Sequence, residues 1–190
     1  MFTGIVKYLA PVMNFEHKEF GALIEIECAE LATYKIGGSI MINGACMTLV
    51  KVDNGLLSFE VIKESLEKTN LKDLKVGDFV NLESSLTLQD YIDGHLVSGH
   101  IDCKVKCVKV IDNEFYFELL PEISRFISMK GSVALNGISL TISGLFDDSF
   151  KVSLIPETLS NTNLKYIKAG NFVNLEVDVV ARYLDRLNQK

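Results

Sequence analysis

Along most of this chain apolar and polar residues alternate with a period of two, in short runs punctuated by glycine, asparagine and charged turns. Ala22 to Cys28, Ser39 to Ile42, Cys46 to Val52, Leu57 to Ile62 and Phe79 to Leu82 each read as a strand, rich in β-branched and apolar side chains. The series then repeats 93 residues later. Gly38, Ser39, Asn43, Gly44 and Thr48 fall on Gly131, Ser132, Asn136, Gly137 and Thr141, and Glu64, Leu66, Thr69, Asn70, Leu71 and Lys72 on Glu157, Leu159, Thr162, Asn163, Leu164 and Lys165. A unit of this size, copied once, is a small domain rather than a solenoid repeat. About six strands per copy, with few helical stretches, predict an all-β chain of two small closed barrels, because closure removes the exposed strand edges.

Asn43-Gly44 and Asn136-Gly137 sit between strand-like runs, where the pair tolerates positive φ and closes a tight hairpin. After each turn one face is core, carrying Ala45, Met47 and Leu49 or Ile138, Leu140 and Ile142. The other carries only small groups, Cys46 and Thr48 or Ser139 and Thr141. Such a face is either ordinary solvent-facing strand or a wall that a planar ligand approaches closely. The tail, Val179 to Lys190, spaces Val180, Tyr183, Leu184 and Leu187 as a helical stripe. A helix this short does not stand alone in water, so it docks on its own barrels or on copies of itself.

Composition narrows the partners. Apolar residues make up 48% of the chain and the net charge is −6, without a Lys/Arg cluster, which argues against nucleic acid or an anionic membrane and favours a small molecule. The N-terminus lacks a basic region followed by an apolar run, and no stretch approaches a membrane span, so the expected location is cytoplasmic. Cys28, Cys46, Cys103 and Cys107 contain no C-x-x-C pair and read as reduced packing residues for the most part. Between the copies, Gly94-His95-Leu96-Val97-Ser98-Gly99-His100-Ile101-Asp102 places a glycine before each of two histidines. No metal-ligand spacing accompanies them, and a histidine titrating near neutrality beside a pocket suits proton transfer. His17, among charged residues, reads as surface.

Met1 to Val6, Asn43-Gly44-Ala45-Cys46-Met47-Thr48, Gly94 to Asp102, Asn136-Gly137-Ile138-Ser139-Leu140-Thr141 and Ile155-Pro156-Glu157-Thr158-Leu159, in this order over essentially the whole chain, resemble riboflavin synthase. The resemblance implies two tandem six-stranded Greek-key, lumazine-binding barrels over residues 1–95 and 96–178, with a short C-terminal oligomerisation helix over 179–190. It implies a dismutation in which one 6,7-dimethyl-8-ribityllumazine donates four carbons to another, giving riboflavin and 5-amino-6-ribitylaminouracil, with no cofactor and no metal. It further implies a homotrimer whose sites lie between subunits, and leaves association with lumazine synthase open. The tail after Asp178 is shorter than in longer members, which predicts a weaker or faster-exchanging trimer.

Carried over residue by residue, the resemblance puts the first ring against Gly4, Ile5, Val6, Cys46, Met47, Thr48, the segment Glu60, Val61, Ile62, Lys63, Glu64 and Ser65, and Gly99, His100 and Ile101. The second lies against Lys130, Ser139, Leu140, Thr141 and the segment Ser153, Leu154, Ile155, Pro156, Glu157 and Thr158, with Asp178 on a ribityl hydroxyl. His100 is the expected proton-transfer residue, with Ser39 and Cys46 as hydroxyl and thiol partners and Phe2 as an apolar cover. The alternative is a non-catalytic lumazine or flavin carrier of the same fold. Such carriers lose parts of the second-copy motif and of the Gly-His pair, which this chain retains.

Overall fold

The computed structural model describes residues 1–189, so Lys190, the last residue of the expected tail helix, lies outside it. Twelve strands form two closed antiparallel barrels. In the first, β1 (Tyr8–Lys18), β2 (Gly21–Glu27), β3 (Ser39–Ile42), β4 (Ala45–Asp53), β5 (Leu56–Ile62) and β6 (Phe79–Ser84) pair in the order β1-β2-β5-β4-β3-β6. The second repeats that order with β7 (Cys103–Ile111), β8 (Glu114–Glu118), β9 (Ser132–Leu135), β10 (Ile138–Leu145), β11 (Ser149–Ser153) and β12 (Phe172–Val177). Each barrel fills its interior with its own apolar cluster, centred on Ile24, Leu49 and Phe59 in one and on Phe117, Ile142 and Phe150 in the other.

The expected strands match β2 to β6 to within a few residues. The longest strand, β1, has no counterpart among them: Pro11 interrupts the run and its last residues, Glu16 to Lys18, are polar. Both features fit a strand that bends. A register shift between Val12 and Asn14 marks a bulge against β2, and equivalent bulges occur at Leu49/Lys51, Cys107/Lys109 and Ile142/Gly144. Bulges raise local twist, which lets so few strands close on themselves. The Asn-Gly pairs form two-residue hairpins as expected, with φ of 46° and 85° at Asn43-Gly44 and 46° and 77° at Asn136-Gly137.

The repeated Thr-Asn-Leu triplet also has a structural explanation. Thr69 and Thr162 cap short 3-10 turns, and Leu71 and Leu164 plug the barrels. Asn70 and Asn163 join Asn43, Asn81, Asn136 and Asn174 in one network across the barrel interface. Asn81 Nδ2 donates to Asn136 O at 2.9 Å and Asn174 Nδ2 to Asn43 O at 2.7 Å, while Asn163 Nδ2 reaches Asn43 Oδ1 at 2.9 Å. Buried amides demand such partners, and here each copy supplies the other's.

Between the barrels Phe2 and Val97 pair as an antiparallel bridge and pack with Met41 and Ala134. Phe2, expected from the resemblance as an apolar cover, is fully buried in this joint. After β12 the tail forms α4 (Val179–Asn188), following α1 (Lys63–Lys68), α2 (Pro121–Ser124) and α3 (Pro156–Asn161).

Candidate active site

The alternation predicted for the strands after the Asn-Gly turns holds in both barrels. Ala45, Met47 and Leu49, and likewise Ile138, Leu140 and Ile142, point into the cores. Cys46 and Ser139 are half-buried and Thr48 and Thr141 exposed on the outer faces. Ser39 pairs directly with Thr48 across β3 and β4, which puts Ser39, Thr48 and Cys46 on one face. The equivalent pairing in the second barrel is Ser132 with Thr141.

Each face is completed by a segment that belongs to the other repeat. The Cys46 amide donates to Gly99 O at 2.8 Å, so Gly99, His100 and Ile101 lie along the first barrel, where Ile101 packs on the core. The Ser139 amide donates to Gly4 O at 2.7 Å, and Val6 packs on the core of the second barrel. Gly4, Ile5 and Val6, expected beside the first ring, therefore stand at the second face. The two crossings are related by the repeat: Gly4 and Gly99 have φ of 75° and 83°, and a Cβ on either would lie 2.7 Å from that of Ser139 or 2.5 Å from that of Cys46. Only glycine permits this approach.

The ends of β5 and β11 run into α1 and α3 beside these faces. Glu60, Ile62, Lys63 and Glu64 are exposed and Ser65 half-buried, with Val61 in the core. In the second copy Ser153, Ile155, Pro156 and Glu157 are exposed, Thr158 is half-buried and Leu154 in the core. Exposed Ile62 and Ile155 give each face an apolar edge. Lys130 has φ of 68°, in the left-handed region, where the first copy has Gly37. A lysine is conformationally unfavourable there, whereas glycine is not. Asp178 caps α4 by accepting the Val180 amide at 2.9 Å. His100 is exposed beside Gly99.

At the second face stands the first of the two glycine-preceded histidines, to which the resemblance assigned no role. His95 Nδ1 and Ser139 Oγ are hydrogen-bonded at 2.7 Å, and His95 Nε2 is buried with no partner among the described residues. Burial holds its pKa below the ordinary value, against the pull of the Asp178 carboxylate. At neutral pH it is therefore the neutral imidazole, able to exchange a proton with the serine hydroxyl. The sequence signal was Gly94, whose missing side chain lets this segment lie against Thr3 and Ser139.

A cavity of about 660 Å³, where Asn43, Asn70, Asn136 and Asn163 meet Phe79 and Phe172, shares no residue with either face.

Residues 3–85 and 98–178 each match the lumazine binding domain family. Full-length relatives agree. Riboflavin synthase of Escherichia coli is 38% identical over 185 residues, covering 94% of this chain and 87% of that one. That of Chlamydia trachomatis is 39% identical over 183, covering 96% and 92%. The chain belongs to the riboflavin synthase family, and with it to the enzymes of riboflavin biosynthesis. Among solved structures, LumP complexed with riboflavin superposes with a TM-score of 0.86 at 22% identity, covering 93% of this chain and 99% of that one, which establishes a shared fold. No helix among the described residues is long and apolar enough to cross a membrane.

Proposed function

We propose that this protein catalyses the dismutation of two 6,7-dimethyl-8-ribityllumazine molecules into riboflavin and 5-amino-6-ribitylaminouracil. The observation that carries the reading is the pair of equivalent faces, each a small-residue strand completed by a glycine-hinged arm of the other repeat. Two copies of one substrate call for two copies of one site. The net reaction conserves all atoms between two lumazines and two products, so no oxidant or reductant enters. The acidic 7-methyl group of one lumazine supplies the carbanion, and holding the two rings in register replaces an improbable encounter.

In this scheme the first ring lies on Cys46, Met47 and Thr48, between Glu60–Ser65 and Gly99–Ile101. The second lies on Ser139, Leu140 and Thr141, between Ser153–Thr158 and Gly4–Val6, with Lys130 and Asp178 at its polar edge. His100 moves a proton at the first ring, and Ser39 and Cys46 hydrogen-bond the adduct. Backbone donors and acceptors read the pyrimidine edge, which rejects analogues that leave them unpaired. Both faces being open in one chain, the rings meet where the first face of one subunit covers the second face of another, in a homotrimer.

The test is to incubate purified protein, without added metal or cofactor, with 6,7-dimethyl-8-ribityllumazine and quantify products by chromatography. Riboflavin and the ribitylaminouracil are expected in equal amounts. Tight binding without either product would overturn the enzymatic reading in favour of a carrier.

A further inference from the structure

Two carboxylates outside both faces hold the arms that complete them. Glu83, on β6, accepts from Thr3 N at 2.6 Å and Thr3 Oγ1 at 2.8 Å through one oxygen and from Gly4 N at 3.0 Å through the other. Glu176, on β12, accepts from Ser98 N at 2.7 Å, Ser98 Oγ at 2.5 Å and Gly99 N at 2.9 Å in the same pattern. Each glutamate is only 1% exposed. No lysine or arginine pairs with either among the described residues. A charge in that position is retained only where donors surround it, and here the donors are the arm's own amides and hydroxyl.

We propose that Glu83 and Glu176 are positioning residues with crossed action: each is rooted in one barrel and sets the ligand face of the other. Glu83 belongs to the first barrel, but the Thr3–Gly4 arm it grips ends on the Ser139 amide of the second. Glu176 belongs to the second barrel, but the Ser98–Gly99 arm ends on the Cys46 amide of the first. A carboxylate is required because all three partners donate. A glutamine would turn its NH2 toward one of them, leaving two donors facing each other while the side-chain volume is unchanged.

The functional arm of the test rests on the lumazine dismutation proposed above; the structural arm does not. Glu83→Gln and Glu176→Gln are compared with the parent protein by amide hydrogen exchange at Cys46 and Ser139, and by kcat and KM for 6,7-dimethyl-8-ribityllumazine. In Glu176→Gln the Cys46 amide is expected to lose about tenfold or more of its protection while Ser139 keeps its own, and Glu83→Gln should do the reverse. In both, kcat/KM should fall by about tenfold or more, as the ring meets a displaced wall. Glu83→Asp and Glu176→Asp, which keep the charge and shorten the reach, should recover part of the protection. Loss at the amide of the same barrel, equal loss at both, or no loss would overturn the crossed wiring. Crossed exchange in a parent that makes no riboflavin would uphold the wiring and overturn the activity instead.

Discussion

His95 is set apart from the other two histidines by where its neighbours come from. Its imidazole sits against Ser139, far along the chain, while His17 lies on a polar strand end and His100 is exposed. Because burial lowers its pKa, the unfolded chain takes up a proton as pH falls through about 6.5 while the native state resists. Native stability from this group is therefore complete above that pH and is lost as pH falls below it, by at most about 1.4 kcal/mol per pH unit for one proton. Urea midpoints at pH 7.5 and 5.5 should show a larger drop for the parent than for His95→Gln. Equal drops would mean that the native state binds that proton as readily as the unfolded chain. The same variant should depress turnover if the His95–Ser139 bond orders the second face.

At the scale of the element, the hairpin turns bear more than local strain. Gly44 and Gly137 face one another across the barrel interface, where a Cβ on Gly44 would lie 2.8 Å from Gly137 N and one on Gly137 2.8 Å from Gly44 N. Gly77 has a similar φ of 92°, but a Cβ there would meet nothing within 4 Å. Gly77→Ala should therefore cost only the left-handed backbone penalty, about 1–2 kcal/mol. Gly44→Ala adds backbone overlap between the barrels and should cost measurably more in a denaturant titration. If the two variants were equally stable, the interface would be loose enough to absorb a methyl group.

For the whole molecule, the exposure of the tail bears on the proposed homotrimer. Its polar side is tied down by Arg182 to Asp102 at 2.9 Å and Arg125 to Asp185 at 3.3 Å. Val180, Tyr183, Leu184 and Leu187 are nevertheless 55, 66, 54 and 79% exposed, so the stripe does not dock on its own barrels. In the proposed homotrimer this stripe serves as an association surface, because a contiguous apolar patch left in water gains from burial against a partner. Leu184→Asp with Leu187→Asp should shift the protein toward monomer in sedimentation measurements and lower specific activity with it, since each proposed site needs two subunits. Unchanged sedimentation would place assembly elsewhere.

Residues near one another in sequence were legible. Alternation located β2 to β6, because a strand with one buried face has period two, and Asn-Gly located both hairpins, because few other pairs adopt those φ values. The 93-residue duplication determined that there would be two barrels and two matching faces. β1 escaped because Pro11 and a bulge break the pattern that identifies a strand. What only the tertiary structure decided is which segment completes which face. The Gly4 arm, expected beside Cys46, lies on Ser139; Phe2 packs between the barrels; and Glu83 grips Thr3 from 80 residues away. Periodicity and turn chemistry are set by adjacent backbone geometry, so one chain displays them directly. The crossing of arms depends on hydrogen bonds between segments far apart in sequence, which no local pattern displays.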